Sequence, residues 1–114
     1  MKRLLILMIV VLLASCSVAQ HGRYSTKNKK AIKLFEMSRS IPAQELDDKG
    51  RPNYVGAMEV LDQAIKKDPA FIEAYIMKAE FAEILRDNKT ALECYDLAIS
   101  IDPNYSATGS TYYF

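Results

Sequence analysis

Apolar residues recur at intervals of three and four positions in four separate segments of this chain. Such spacing places the apolar side chains on one face of an α-helix, because about 3.6 residues complete a helical turn. The segments run from Lys27 to Ser40, from Asn53 to Asp68, from Ala70 to Leu85 and from Lys89 to Ile101. The pattern therefore predicts an all-α protein.

Turn-forming residues separate these four segments. Ile41-Pro42 is predicted to break the first helix, and residues 47–53, which combine glycine, proline and aspartate, are typical of a turn. Asn53 is predicted to cap the N-terminus of the second helix, and Asp68-Pro69 is predicted to end it. Residues 86–88 then turn the chain into the fourth helix. Three connections thus join the four predicted helices.

Two of the segments repeat one another at a constant spacing along the chain. Residues 54–69 return as residues 88–103, and the register holds over small, large and acidic positions alike. The matched pairs are Ala57 with Ala91, Met58 with Leu92, Leu61 with Tyr95, Asp62 with Asp96, Ala64 with Ala98, Ile65 with Ile99 and Phe71 with Tyr105. A period of about 34 residues is typical of a solenoid, in which each helical unit covers the apolar face of its neighbour.

The repeated unit resembles the tetratricopeptide repeat. In that family the second helix carries a small residue, then a large apolar or aromatic residue, then an alanine and Asp-Pro. The residues that carry the resemblance are Ala57, Leu61, Ala64 and Asp68-Pro69 in the first copy, Ala91, Tyr95, Ala98 and Asp102-Pro103 in the second copy, and Tyr75 and Ala79 in the first helix of the second copy. Lys78 and Ala82 depart from the family pattern, which has a leucine and a tyrosine at these positions.

The resemblance implies an antiparallel helix-hairpin solenoid, with about two repeats (27–69 and 70–103) and the start of a third. The positions that match the family motif, including Pro69 and Pro103, are then expected to pack one helix against the next. The first copy fits only if residues 41–53 form a loop roughly ten residues longer than a usual tight turn. This loop is either a contact surface or a tolerated bulge without a role, and we favour the bulge.

The resemblance also implies a binding groove, since the first helices of successive tetratricopeptide repeats line a concave surface. Carried onto this sequence, the groove residues of the second repeat are Glu73, Ile76, Glu80 and Glu83, which share one helical face. The stripe is acidic with one apolar position, so it favours a basic or mixed partner segment. The simpler alternative is that these glutamates form only the solvated side of an amphipathic helix.

Residues 1–20 have the features of an export signal. Lys2 and Arg3 precede the apolar run from Leu4 to Leu13, and small residues follow it. At ~1.5 Å per residue, the run spans about half of a ~30 Å hydrocarbon core, which disfavours a stable transmembrane helix. The segment is therefore expected to target the protein for export.

Two cleavage chemistries compete at the end of this signal. Residues 13–16, Leu-Ala-Ser-Cys, resemble the bacterial lipoprotein box, which implies a signal peptide over residues 1–15, lipidation of Cys16 and a tether over residues 16–26. The alternative is ordinary cleavage after Ala19, which would leave a soluble periplasmic protein. We favour the lipoprotein, because the cysteine stands where the apolar run ends. No acidic pair follows Cys16. By resemblance to lipoprotein sorting signals, this predicts a protein that is anchored in the outer membrane and faces the periplasm.

The net charge and the placement of histidine, glycine and cysteine argue against nucleic-acid binding, metal binding and catalysis. Cleavage before Cys16 would leave 99 of the 114 residues, and the formal net charge would change from +1 to −1, so nucleic acid is not an expected partner. His21 is the only histidine, the four glycines stand singly, and Cys94 has no ligand partner at metal-binding spacing. No nucleophile and base are paired, so we expect no enzyme activity, no cofactor, no metal and no small-molecule substrate.

The third copy of the repeat is incomplete in this sequence. Residues 106–114 resemble the entry to a further first helix, and they end in Tyr-Tyr-Phe. We expect either a piece of a longer protein, which we favour, or a module that borrows a partner's surface. The predicted function is a non-catalytic scaffold that binds other envelope proteins or peptide segments in outer-membrane or secretion-complex assembly. The alternative is a structural spacer at the N-terminus of a longer peptidoglycan-binding protein of the outer-membrane-protein-A type.

Overall fold

The computed structural model of the protein describes residues 24–105. This part of the chain forms four α-helices and no β-strand, which confirms the all-α prediction for these residues. The helices are α1 (Lys29–Gln44), α2 (Tyr54–Lys67), α3 (Ile72–Ile84) and α4 (Asn88–Ile101). The predicted signal peptide, Cys16, His21 and segment 106–114 lie outside the described residues.

Side chains that accept hydrogen bonds begin three of the four helices. The side-chain oxygen of Asn53 accepts the N–H of Gly56 at 2.9 Å, so the predicted cap of α2 is confirmed. Asn28 caps α1 and Asp87 caps α4 in the same way. Each cap satisfies one of the N–H groups that the first turn of a helix leaves without a partner.

The prediction that Ile41-Pro42 breaks the first helix is wrong, because α1 continues through Pro42 to Gln44. A proline inside a helix removes one backbone hydrogen bond and disturbs the preceding turn. Here Pro42 stands in the last turn, and a helical hydrogen bond closes that turn, with the N–H of Glu45 donating to the carbonyl of Ile41 at 2.8 Å. The side chain of Ile41 is also buried, which holds this turn against the core.

The loop between α1 and α2 is shorter than predicted, since it covers residues 45–53 rather than 41–53. It closes on itself through Asp47, whose Oδ1 accepts the N–H groups of Lys49 and Arg51, both at 2.9 Å. These backbone bonds, together with the Arg51 guanidinium, hold the pKa of the Asp47 carboxyl below its usual value. Gly50 has a φ of 76°, a left-handed conformation that glycine adopts at low cost. The loop is therefore an ordered turn that depends on its own residues.

The two Asp-Pro sequences form equivalent turns. Oδ1 of Asp68 accepts the N–H of Ala70 at 3.0 Å, and Oδ1 of Asp102 accepts the N–H of Asn104 at 2.9 Å. The backbone carbonyls of the two aspartates accept the N–H groups of Phe71 and Tyr105 at 3.1 and 3.2 Å. A short acidic side chain that bonds two residues ahead initiates a turn, and proline cannot continue the helix. The sequence repeat is therefore matched by a repeat of local geometry.

Helices that are consecutive in the chain pack against each other, α1 on α2, α2 on α3 and α3 on α4. The core between the helices consists of large residues beside small ones. Phe71 and Leu61 are fully buried, and five alanines at repeat positions are also buried, namely Ala57, Ala64, Ala79, Ala91 and Ala98. Small side chains let helix axes approach while the large ones fill the adjoining space.

The turn between α3 and α4 uses an arginine where glycine is usual. Arg86 has a φ of 61°, and the N–H of Asp87 donates to the carbonyl of Ala82 at 2.8 Å. This is the hydrogen bond of a helix end closed by a left-handed residue. The turn brings Asp87 into place to cap α4, which packs against α3.

The end of the predicted tether belongs to the folded part. Thr26 is 2% exposed, and its hydroxyl donates to Oδ2 of Asp68. The ring of Tyr24 lies edge-on against Phe35 and Phe71, with ring centroids 5.4 and 6.0 Å apart. The sequence predicted a tether here, but the hydroxyl of Thr26 finds its partner at the end of α2, that of Ser25 on α3 and that of Tyr24 on α1. We call residues 24–26 the strap.

Candidate protein-interaction surface

The four residues of the predicted groove occupy two different environments along α3. Glu73 and Ile76, near the N-terminus of the helix, are engaged within the protein, and Ile76 is only 8% exposed. Glu80 is half-buried and Glu83 is exposed, one and two turns further along. The surface on which a partner could meet carboxylates is therefore the C-terminal half of the stripe.

Glu73 joins the strap to the segment after α4. Its Oε1 accepts the backbone N–H of Ser25 at 2.8 Å and the hydroxyl of Tyr105 at 2.6 Å, and its Oε2 accepts the hydroxyl of Ser25. The same Ser25 hydroxyl oxygen accepts the N–H of Ile72 at 3.1 Å, which serves the first turn of α3, where Phe71 offers no side-chain cap. Glu73 is therefore a structural residue in this protein, and the sequence pattern did not show this.

Glu80 and Glu83 lie close enough to affect each other's charge. Burial raises the pKa of Glu80, the negative charge of Glu83 raises it further, and the positive charge of Arg39 on α1 opposes both. Because two carboxylates one turn apart repel, a cation placed between them is favoured. The arrangement therefore suits a lysine or arginine side chain from a partner.

Two residues outside the predicted stripe border the acidic pair. Arg39 approaches Glu80 from α1, and Tyr95 of α4 interacts with Glu83. Burial is the main cause of the raised pKa of Tyr95, and the charges of Glu83 and Glu80 add to it, so the phenol stays neutral. We call Arg39, Glu80, Glu83 and Tyr95 the acidic patch. The sequence showed no sign that Arg39 belongs here, because only the packing of α1 on its neighbours brings it close.

Lys78, which departs from the tetratricopeptide pattern, forms an ion pair with the neighbouring helix. Its Nζ lies 2.6 Å from Oδ1 of Asp62, which links α3 to α2. Burial alone would lower the pKa of Lys78, but the hydrogen bond and the negative charge of Asp62 raise it overall, with smaller help from Glu93. The positive charge of Lys78 is therefore used within the protein, in a contact between neighbouring helices.

Cys94, whose thiol is a possible nucleophile or metal ligand, is 4% exposed and packs with Ala79, Ala82 and Ala91. Burial raises the pKa of its thiol, so the unreactive protonated form is favoured. Within residues 24–105, no group of three histidine, cysteine, aspartate or glutamate side chains is placed to hold a metal ion. No helix in the same range has the length and hydropathy needed to cross a membrane.

Comparison of the chain with protein-family profiles, with curated proteins and with solved structures gave no match. The acidic patch and the internal repeat are therefore the features of this protein that indicate a function.

Proposed function

We propose that this chain is a non-catalytic protein-interaction module of the tetratricopeptide type. The internal sequence repeat supports the assignment, because its two copies end in equivalent Asp-Pro turns at Asp68 and Asp102. The stacking of each helix on the next in chain order further supports a solenoid of helix hairpins. The module is exported and held at the bacterial outer membrane by a lipid on Cys16, facing the periplasm. It serves the assembly of an outer-membrane or secretion complex.

The acidic patch is the contact surface for a basic or mixed segment of an envelope protein. Burial of Glu80 and the negative charge of Glu83, one turn away, raise the pKa of Glu80, and the positive charge of Arg39 opposes this rise without cancelling it. A lysine or arginine that binds beside the two carboxylates lowers that pKa and offsets their repulsion. The half-buried position of Glu80, one turn from the exposed Glu83, is the observation on which the proposed contact rests.

Charge reversal tests the patch. The full chain carrying Glu80→Lys and Glu83→Lys is expected to lose the envelope proteins that the wild-type chain retains in chemical cross-linking on cells. The control is the double variant Glu59→Lys and Glu93→Lys, which changes the net charge equally at exposed positions of α2 and α4. Equal cross-linking by both double variants would reject the patch as the contact surface.

The lipid anchor has a separate test. Cells that express the wild-type chain are expected to incorporate a fatty-acid probe into it, and Cys16→Ala is expected to abolish that label. Cleavage after Ala19 instead would leave both chains unlabelled and soluble in the periplasm. Equal labelling of the two chains would also reject lipidation at Cys16.

A structural spacer is the second candidate, and one observation favours it. Glu73 and Ile76, half of the predicted groove stripe, are taken up by contacts within the protein. A spacer at the N-terminus of a longer peptidoglycan-binding protein needs only such internal contacts. It predicts that charge reversal at Glu80 and Glu83 changes no cross-link, and that the gene continues beyond Phe114 into a wall-binding domain.

A further inference from the structure

The outward side of α4 carries an apolar and acidic surface that has a covered counterpart elsewhere in the chain. Leu92, Asp96 and Ile99, which we call the end face, stand at the repeat positions that correspond to Met58, Asp62 and Ile65 of α2. Leu92 is 63% exposed and Ile99 is 43% exposed, whereas Met58 and Ile65 are half-buried. Equivalent positions of the repeat therefore differ in what covers them.

The contacts of α2 show what kind of surface fits such a face. Ile65 packs against the cluster of Ile72, Tyr75 and Ile76, and Met58 packs against the cluster that contains Ala79 and Ala82. Asp62 receives the Lys78 ammonium group at 2.6 Å. An occupant of the end face of α4 should likewise supply apolar side chains to Leu92 and Ile99 and a cation to Asp96.

The residues that follow in the chain do not repeat this chemistry in register. One repeat further along, the positions that correspond to Ile72, Ala74, Tyr75 and Ile76 hold Ser106, Thr108, Gly109 and Ser110. The position that corresponds to Lys78 holds Tyr112, so the cation is missing as well. A continuation of the repeat by residues 106–114 is therefore a poor complement for Leu92 and Asp96.

We propose that the end face binds the end face of a second copy of this chain, with the two α4 helices antiparallel about a two-fold axis. Lys89 stands seven residues before Asp96, and because seven residues make about two turns, both lie on the same flank of α4. Both side chains are exposed. The two-fold axis brings Lys89 of each copy to Asp96 of the other, and it places Leu92 of each copy over the turn that holds Leu92 of the other.

This pairing meets two of the three requirements that α2 and α3 define. Leu92 gains apolar cover from Leu92 of the other copy, and Asp96 gains an ammonium group, as Asp62 does from Lys78. Ile99 falls opposite the turn at Arg86 of the other copy, so it lies at the edge of the interface. Because the interface is the same patch used twice, one substitution alters two contacts. An ion pair at a rim weakens with salt, so association should fall as the ionic strength rises.

Sedimentation equilibrium of the full chain in a density-matched nonionic detergent tests the proposal, since the leader is then identical in every variant. The wild-type chain is expected to be a dimer, and Leu92→Glu is expected to be a monomer. Asp96→Lys alone should raise the dimer dissociation constant by about tenfold or more, because two ion pairs become two like-charge contacts. Combining Lys89→Asp with Asp96→Lys should restore the wild-type constant.

The matched control is Leu97→Glu, at an exposed position about 140° around α4 from Leu92, which should leave the dimer unchanged. Circular dichroism spectra should agree among all variants, since every substituted side chain is exposed. A monomeric wild-type chain would overturn the proposal, and so would a dimer that Leu92→Glu leaves intact. Failure of the double charge exchange to restore association would overturn the antiparallel arrangement. None of these results tests the acidic patch, so the dimer proposal and the proposed function can be rejected independently of each other.

Discussion

The hydroxyl of Tyr105 donates a 2.6 Å hydrogen bond to Oε1 of Glu73, 32 residues earlier in the chain. The same carboxylate accepts two hydrogen bonds from Ser25, so it connects the strap, the start of α3 and the turn after α4. Hydrogen bonds to a charged group are stronger than those between neutral groups. The two ends of the described chain are therefore held to one helix by a single side chain.

Removal of this carboxylate should destabilise the protein. Glu73→Ala is expected to lower the free energy of unfolding by about 1–3 kcal/mol, because Ser25 and Tyr105 lose a charged acceptor. Urea denaturation followed by circular dichroism measures the change. The control Glu59→Ala removes an exposed carboxylate from α2 and should change stability by less than about 0.5 kcal/mol. Equal effects of the two substitutions would contradict the structural role of Glu73.

Gly56 should not tolerate alanine in the way an exposed helix glycine does. A Cβ atom at this position would lie 2.4 Å from Nδ2 of Asn53 and 3.0 Å from its Oδ1, so the capping side chain must move. The helix propensity gained, about 0.8–1 kcal/mol, is then offset by the lost cap, about 0.5–2 kcal/mol. Gly56→Ala alone is therefore expected to give no gain in stability.

The same substitution should become stabilising once the cap is absent. In an Asn53→Ala background, Gly56→Ala is expected to raise the free energy of unfolding by about 0.8–1 kcal/mol, because no capping side chain is left to displace. Thermal melts of the two single variants and the double variant provide the measurement. Additive effects would show that Asn53 and Gly56 do not interfere.

The ion pair between Lys78 and Asp62 should contribute little to stability. Side-chain exposure is 22% for Lys78 and 55% for Asp62, so solvent screens the pair. A double-mutant cycle with alanine at both positions is expected to give a coupling energy of about 0.2–1 kcal/mol. Lys78→Leu should be neutral or stabilising, since an apolar side chain suits a half-buried helix interface. Destabilisation by more than about 2 kcal/mol in Lys78→Leu would contradict this account.

Replacement of Arg86 by glycine should stabilise the protein. Its φ of 61° is a left-handed conformation, which costs roughly 1–2 kcal/mol for a residue with a Cβ atom. Arg86→Gly relieves that strain, and part of the gain is lost to the greater freedom of glycine in the unfolded chain, which leaves about 0.5–1 kcal/mol of added stability. The control Arg86→Ala keeps the Cβ atom and should show no gain. Equal melting temperatures for the glycine and alanine variants would contradict a strained turn.

The protein should lose stability in alkali partly through Tyr95. Burial and the nearby glutamates raise the pKa of this phenol in the folded state, so the fold holds a proton that the unfolded chain releases near pH 10. Because the unfolded state then binds fewer protons than the native state, stability falls as the pH rises above about 10. Tyr95→Phe has no proton to lose, so its stability should decline less steeply than that of the wild type. Chemical denaturation at pH 7–11 under reducing conditions measures both slopes, and parallel slopes would contradict a buried neutral phenol.

Local features of the fold were predictable where a residue acts on its own neighbours. Asn53 caps α2 as predicted, because a side-chain oxygen needs only the N–H groups of the next turn. The Asp-Pro turn at residue 68 likewise depends on contacts two residues apart. The prediction that Pro42 ends α1 was wrong, since the effect of a proline depends on how close it stands to the helix end and on the packing of its neighbour, here Ile41.

The functional surface was only partly predictable. Helical spacing correctly places Glu73, Ile76, Glu80 and Glu83 along α3, since periodicity depends on the backbone alone. It did not show that Ser25 and Tyr105 donate hydrogen bonds to Glu73, because those contacts join residues 48 and 32 positions apart. Arg39 reaches the acidic patch for the same reason, through packing that no local pattern encodes.

By itself, the sequence determined that this protein is helical, that two of its units repeat and where most of the helices begin, since these properties depend on interactions within a few turns of chain. The tertiary structure decided that Met58 and Ile65 of the first copy are half-buried and Asp62 is paired with Lys78, whereas Leu92 and Asp96 of the second copy are exposed. It also decided that the strap belongs to the fold. The physical reason is that burial and electrostatic environment depend on distances between residues far apart in the chain, and only the packed helices set those distances.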